Sequence, residues 1–265
     1  MGISPPSSEN DWVNDVHQLE SDCAEAWPAV VDRPLGQWRL RAADGFTGRA
    51  NSALTLGNPG VALEVALERV KAFASEQGIR AAAHVVTGSD IESGLVKAGW
   101  VVDLGHPGGA ESVVMTGSLD GFLGQVGRVP ARTTVSGEVP DDWWPLAVGA
   151  PQPTAAQRTV LAGVGSGAVL GFGTVRGEDG EVVAVVRGAV VGDLLHIARL
   201  AVAGTHRRQG LGTGLLAALG EWGAGHGATR CALQVTVENH GAIGLYADLG
   251  CSPHHQYRYW TPATS

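Results

Sequence analysis

Cysteine is scarce: Cys23, Cys231 and Cys251 are the whole supply in 265 residues. Their number is odd, they lie far apart along the sequence, and no C-x-x-C occurs. That argues against a disulfide framework and for reduced thiols in a cytoplasmic protein. Long hydrophobic runs are missing too. No stretch of roughly 18 apolar residues is present, so no membrane-spanning helix and no membrane partner is expected. The opening MGISPPSSENDW lacks the basic-then-apolar order of a secretion signal. Positive charge is thin: 18 Lys and Arg face 26 Asp and Glu, for a net charge of -8. The densest basic spot, His206-Arg207-Arg208, is too small to track nucleic acid, so no nucleic-acid partner is expected. His254 and His255 are adjacent on a strand, where side chains oppose, and no third spaced ligand accompanies them, so no metal site is expected.

Glycine is what the chain has in excess, with 39 residues and no G-x-y period. It points to many tight turns and close backbone approaches. Residues 1–11 read as an unstructured start. Trp12, Val16, Leu19, Cys23 and Trp27 have helical spacing. Strands follow at 37–42 and 50–56, then a helix over 61–76, a strand over 81–86, a short helix opened by the capping-box pattern Ser89-x-x-Glu92, and strands at 100–104 and 112–116. A helix start is expected near Asp141, after Pro140. Further on, strands are expected at 158–164, 168–176, 182–190 and 194–202. A helix over 210–225, a strand over 230–237, a helix capped by Asn239, and a last strand near 255–260 complete the order. Long connections between strands imply a partly parallel sheet and an α/β fold with a mixed sheet.

The order of elements repeats. Strand, glycine turn, long helix, glycine, strand, short capped helix, glycine and strand occur in both halves, and Lys97-Ala98-Gly99-Trp100 answers Asp248-Leu249-Gly250-Cys251. Two domains of one type are expected, at 12–135 and 136–265.

The chemistry concentrates in Arg207-Arg208-Gln209-Gly210-Leu211-Gly212. This run follows a buried-type strand and opens an amphipathic helix. Glycine lets a phosphate approach the backbone, the free N–H groups of a first helical turn point at it, and the helix dipole favours its charge. It reads as a pyrophosphate cradle. G-x-x-x-x-G-K-[ST] is absent, and the spacing is wrong for G-x-G-x-x-G. Asn239 can cap the next helix, and Tyr246, two turns along the same face, can carry its hydroxyl to a cleft between strand ends, where a phenol can protonate a leaving thiolate.

LAV-x4-RRQGLG, LQVTVENHGAIGLYADLGC and HHQYRYW together resemble the GNAT superfamily of acyl-CoA N-acyltransferases, over about 157–260. Arg207, Gly210 and Gly212 fit the family's Q/R-x-x-G-x-G/A signature. The resemblance implies that acetyl-CoA is the cosubstrate and that amides from Gln209 through Gly210, Leu211 and Gly212 to Thr213 hold the pyrophosphate, with Arg207 and Arg208 nearby. It implies that Ala201 and Val202 pair with the pantetheine arm and that Asn239 hydrogen-bonds it. Tyr246 would be the general acid, and the amine would attack directly. The first half resembles a degenerate GNAT domain, with Gly57-Asn58-Pro59-Gly60 where the cradle should be. TGRANSAL and HHQYRYW are similar to a tandem actinobacterial group labelled N-acetylglutamate synthase-like.

The acceptor side is less legible. Relatives often place a glutamate on the strand before the cradle, and Ile197-Ala198-Arg199-Leu200-Ala201-Val202 has none. Candidate bases are His196, Glu238, Asp193 and a water chain. Arg49 and Asn51 can line a pocket for a carboxylate-bearing acceptor, or can serve as a cap and an ion pair. The acceptor is expected to be a primary amine of a small molecule. A protein or peptide amine is an alternative, as is acyl-CoA binding without turnover. A monomer or homodimer is expected.

Overall fold

Helical spacing after Asp11 becomes α1 (Glu9–Ala26), whose buried stripe is Val16, Leu19, Cys23 and Ala24. The structure, a computed structural model, describes residues 9–263 except 164, so most of the expected unstructured start lies outside the described residues. Pro28 and Pro34 do not prevent a hairpin: β1 (Val31–Leu35) pairs antiparallel with β2 (Trp38–Ala42). β1 is the edge strand, where a proline's missing N–H faces no partner. The strand expected at 50–56 shrinks to β3 (Ala53–Leu54) after a 3-10 turn at Gly48–Ala50.

α2 (Leu63–Glu76), β4 (Ala83–Val86), α3 (Ile91–Lys97), β5 (Trp100–Val102) and β6 (Glu111–Ser118) come next. The capping box at Ser89 does not form. The Ser89 hydroxyl donates to the Val86 carbonyl at 2.6 Å, and the Glu92 carboxylate accepts instead from the Gly88 N–H at 2.9 Å. α4 (Leu119–Gln125) and β7 (Thr133–Ser136) lead to a 3-10 turn at Asp141–Trp143 and α5 (Trp144–Val148).

The segment expected as a strand over 158–164 is instead covered by α6 (Ala155–Leu161). Thr154 and Gln157 build a reciprocal capping box there, with Oγ1 accepting at 3.2 Å and Oε1 at 2.8 Å. That local signal outweighs the β-branched run. β8 (Val169–Arg176), β9 (Val182–Val191), β10 (Leu194–Val202), α7 (Leu211–Gly225), β11 (Arg230–Thr236), α8 (His240–Asp248) and β12 (Ser252–Pro262) follow the expected order.

Twelve strands among the described residues form one mixed sheet, in the order β1-β2-β3-β4-β12-β6-β11-β10-β9-β8-β7, with β5 beside β12. The pairs β3–β4 and β10–β11 are parallel. The closing strands cross over. β6, the last strand wholly within the first half, pairs with β11, while β12, the last strand of the second half, pairs with β4. One sheet therefore runs through both halves.

α1 lies over this junction. Leu19 and Cys23 sit with Val114, Leu194, Ala232 and Tyr257, whereas Val16 and Ala24 sit with Leu54 and Val86 of the first half. Glu20 is buried between His255 Nε2 at 2.8 Å and His84 Nε2 at 3.3 Å. Burial opposes its ionisation, but the two imidazoles outweigh that and hold its pKa far below the carboxylate range. Two buried arginines close the helix C-terminus: Arg41 donates to the Ala24 and Trp27 carbonyls, and Arg187 to the Ala26 carbonyl.

Two side-chain pairs meet only in space. Cys231 and Cys251 meet with their sulfurs 3.8 Å apart, unbonded and buried. A bulge in β12 between Pro253 and His255 breaks strand alternation, so His254 and His255 do not oppose but bring their Nδ1 atoms to 2.9 Å.

Candidate active site

β10 and β11 run parallel for only three register pairs, Leu194–Arg230 to His196–Ala232, and then separate. The cause lies on β10. Its register to β9 slips between Ala198 and Ala201, and Arg199 takes a left-handed φ of 57°. That bulge turns the end of β10 away from β11. The facing edges, Ile197–Ala201 and Leu233–Thr236, line a cleft of about 400 Å³. Strand edges that do not meet leave backbone donors and acceptors open, which suits an extended chain carrying amides.

The cradle adjoins the end of β10. Gly210 is the N-cap of α7 with φ 76°, a conformation that favours glycine. A Cβ there would meet nothing within 4 Å, so the approach is open. A Cβ on Gly212 would make only ordinary contact, 3.6 Å from Val202, so packing does not demand glycine there. No side chain caps this helix, and among the described residues no protein acceptor meets the N–H groups of Leu211, Gly212 and Thr213. Arg208 and Gln209 are exposed, and Arg207 folds back with Nε donating to the Val202 carbonyl at 3.3 Å. The equivalent loop of the first half is closed on itself. The Asn58 N–H donates to Gln37 Oε1, the Gly60 N–H to Asn58 Oδ1, and the Gly57 carbonyl accepts from Trp38 Nε1.

Tyr246, on α8, lines the cleft and is 6% exposed. Burial, then the neighbouring Cys251 and Cys231, raise its pKa above the ordinary 10, so the phenol keeps its proton at neutral pH. Asn239 caps α8 through Oδ1, which accepts from the Ala242 N–H at 3.1 Å. Among the described residues its amide nitrogen has no protein acceptor, and Asn239 also lines the cleft. Ala201 is on the lining, and Val202 lies just beyond it.

The five acceptor-side candidates separate. Arg49 lines the cleft and donates to Gln234 Oε1, with its guanidinium 4.3 Å from the Trp27 ring centroid. Asn51 uses its amide on its own loop, accepting from the Ala43 and Gly45 N–H groups and donating to the Phe46 and Thr47 carbonyls. His196 is fully buried behind Arg49 Nη1, at 3.4 Å, and Gln234 Oε1, at 3.5 Å. Burial, then the charges of Arg49 and Arg187, push its pKa well down, so it stays neutral. Glu238 is exposed and accepts from the Thr236 hydroxyl at 3.3 Å, and Thr236 lines the cleft. Asp193 precedes β10, at the end away from the cleft, and pairs with Arg230 Nε at 2.9 Å.

Sequence reading passed over Arg199, Gln234, Thr236 and His106. Arg199 offered a signal, a lone cation inside the apolar strand LLHIARLAV. The others carried none. Among the described residues no group of three or more His, Cys, Asp or Glu is placed to hold a metal ion. No helix there is long and apolar enough to cross a membrane.

A parallel strand pair that splays at a bulge, with an uncapped helix N-terminus at its mouth, defines the GNAT class of acyl-CoA N-acyltransferases. The chain belongs, within that superfamily, to the family described as "Probable histone acetyltransferase Rv0428c C-terminal", whose profile matches residues 13–260. It is 26% identical over 263 residues to "Uncharacterized N-acetyltransferase YobR" of Bacillus subtilis (strain 168), covering 93% of this chain and 98% of that protein. A GCN5-related N-acetyltransferase from Kribbella flavida superposes with TM-score 0.62 at 20% identity, over 96% of each chain. A tandem GNAT protein from the clavulanic acid biosynthesis pathway, solved without acetyl-CoA, gives TM-score 0.63 at 17% identity, over 99% of this chain and 98% of that one. The two structures speak for the fold, a mixed-sheet tandem GNAT arrangement. The class carries acetyl-CoA-dependent acyl transfer.

Proposed function

We propose that the protein moves an acetyl group from acetyl-CoA to a primary amine of a small molecule, by direct attack within the cleft between β10 and β11. The observation that carries this reading is a splayed strand pair with a buried, protonated Tyr246 on its cleft, and an open α7 N-terminus beside the end of the same strand β10. The N–H groups from Gln209 to Thr213 would hold the pyrophosphate, with Arg207 and Arg208 adding charge. Ala201 and Val202 would pair with the pantetheine arm, and the Asn239 amide nitrogen would donate to it.

The amine nitrogen attacks the thioester carbonyl. The C–N bond forms, the C–S bond breaks, and Tyr246 gives its proton to the departing sulfur. The nitrogen loses one proton, which returns through water to the phenolate, so the step balances. His196 acts here as a positioning residue, neutral and sealed behind Arg49. Glu238, reached through Thr236, is the carboxylate placed to relay the amine proton through water. The first half, with its loop amides already bonded, supplies structure and a wall of the acceptor side. Calorimetry with acetyl-CoA, followed by thiol release with an amine panel, tests the reading. Tight binding with no thiol release from any amine would turn it into acyl-CoA binding without turnover.

A further inference from the structure

A second cleft of about 290 Å³ continues from the first and joins the two halves. Arg49, Arg199, Gln234 and Thr236 line both. The loops at Gly45–Gly48 and His106–Gly108 close its far side, against Tyr257 and Tyr259. The His106 ring stacks on Tyr259 with centroids 4.0 Å apart.

The charge of this cleft is one-sided. Arg49 donates to Gln234, and Arg199 to the Ala147 carbonyl, both neutral acceptors. Among the described residues neither guanidinium forms an ion pair, and no carboxylate lines either cleft. Arg187 lies beneath, fully buried and, among the described residues, bonded to the Leu161 and Ala26 carbonyls alone. Of the two buried acids among the described residues, Glu20 is held by His84 and His255 and Asp103 by Arg80. A protein of net charge -8 thus keeps two half-buried cations at its cleft without a counter-charge. Half-buried charges lacking a partner are costly, and a ligand that supplies the partner removes that cost.

We infer that the acceptor is an amine that also carries a carboxylate, and that Arg49 and Arg199 grip this carboxylate at the junction of the two clefts. The inference rests on the acetyl-transfer reading above and names its acceptor class. It also accounts for the missing strand carboxylate. A cationic wall disfavours an ammonium ion, so the acceptor nitrogen enters the reaction as the free amine without a strong base beside it. The groups facing the acceptor are Arg49, Arg199, His106, Tyr257 and Tyr259, with Glu238 reached through the Thr236 hydroxyl, Asp103 beside His106, and His196 and Glu20 behind them. Burial holds His106 below its ordinary pKa, and burial raises both phenols, so none of the three titrates in the range of an amine bound beside two cations.

The test uses the full-length protein, acetyl-CoA and a panel of α- and ω-amino acids, each paired with its own carboxamide. Acetyl-CoA binding is measured separately by calorimetry, so a failure of the cosubstrate assignment is seen on its own. For the best acid, kcat/KM should exceed that of its amide by roughly 100-fold, the scale of a bidentate charge-assisted contact. Arg199→Met should raise KM for the acid more than for its amide, so that the acid-over-amide preference in kcat/KM falls by roughly tenfold or more. It should also move the alkaline rise of kcat to higher pH, towards the free amine's pKa. Acids no better than their amides anywhere in the panel, or a lysine-rich peptide acetylated faster than every acid, would overturn the inference even with acetyl-CoA bound. The wild-type comparison decides the matter if the variant does not fold.

Discussion

The Tyr246 phenol lies against Cys251 and Cys231, and burial there raises its pKa. A raised pKa means that the acid form persists as pH rises, so kcat should show no fall from tyrosine ionisation below about pH 10. Tyr246→Phe should lower kcat by about 100-fold, the lower end of general-acid contributions, while the Kd for acetyl-CoA stays within roughly threefold. Unchanged kcat across the pH range would remove tyrosine as the acid. At Gly210 two substitutions part company. Gly210→Ala meets no neighbour but strains a left-handed backbone, costing about 1 kcal/mol. It should fold and bind acetyl-CoA with modest loss. Gly210→Glu places a carboxylate in the proposed pyrophosphate cradle, and calorimetry should then detect no binding; tight binding by this variant would remove the cradle.

β10 shows at the scale of the element why one side of the site could be read and the other could not. Its boundaries, the uncapped start of α7 after it, the Asn239 cap and the place of Tyr246 on α8 are each written in one contiguous stretch, so local chemistry announces them. The bulge at Ala198–Ala201 is not written that way, because an apolar run with one arginine looks like any buried strand. Arg49 reaches the cleft from a loop far away in sequence, and only the shared sheet brings it to Arg199. α6 failed for the opposite reason: the local signal, Thr154 with Gln157, was present, and the apolar residues after it imitate a strand. α1 was legible as a helix, but its work was not. Its Glu20 holds His84 of one half and His255 of the other. Glu20→Ala would leave both imidazoles without their acceptor and should destabilise the fold by about 3–5 kcal/mol, read by denaturant unfolding. A loss below 1 kcal/mol would mean that the junction holds without it.

Over the whole molecule, the exchange of closing strands makes each half depend on the other. The repeat was visible in the sequence, whereas the crossing of β6 and β12 was not, because strand pairing across halves leaves no local pattern. Residues 136–265 expressed alone would lack β6, leaving β11 with an unpaired edge and the α1 face of the sheet bare. That fragment should aggregate or remain unfolded, and co-expression with residues 1–135 should recover soluble protein. A monomeric, cooperatively folded fragment would contradict this interdependence. The central claim is that one cleft joins an acetyl-CoA donor to an amine acceptor through Tyr246. Single-turnover thiol release, with acetyl-CoA prebound to wild type and to Tyr246→Phe and started by adding the preferred amine, tests it most directly. The account predicts amine-dependent release in the wild type and about 100-fold slower release in the variant at equal acetyl-CoA occupancy. Equal rates in the two proteins, or release that ignores the amine, would contradict it.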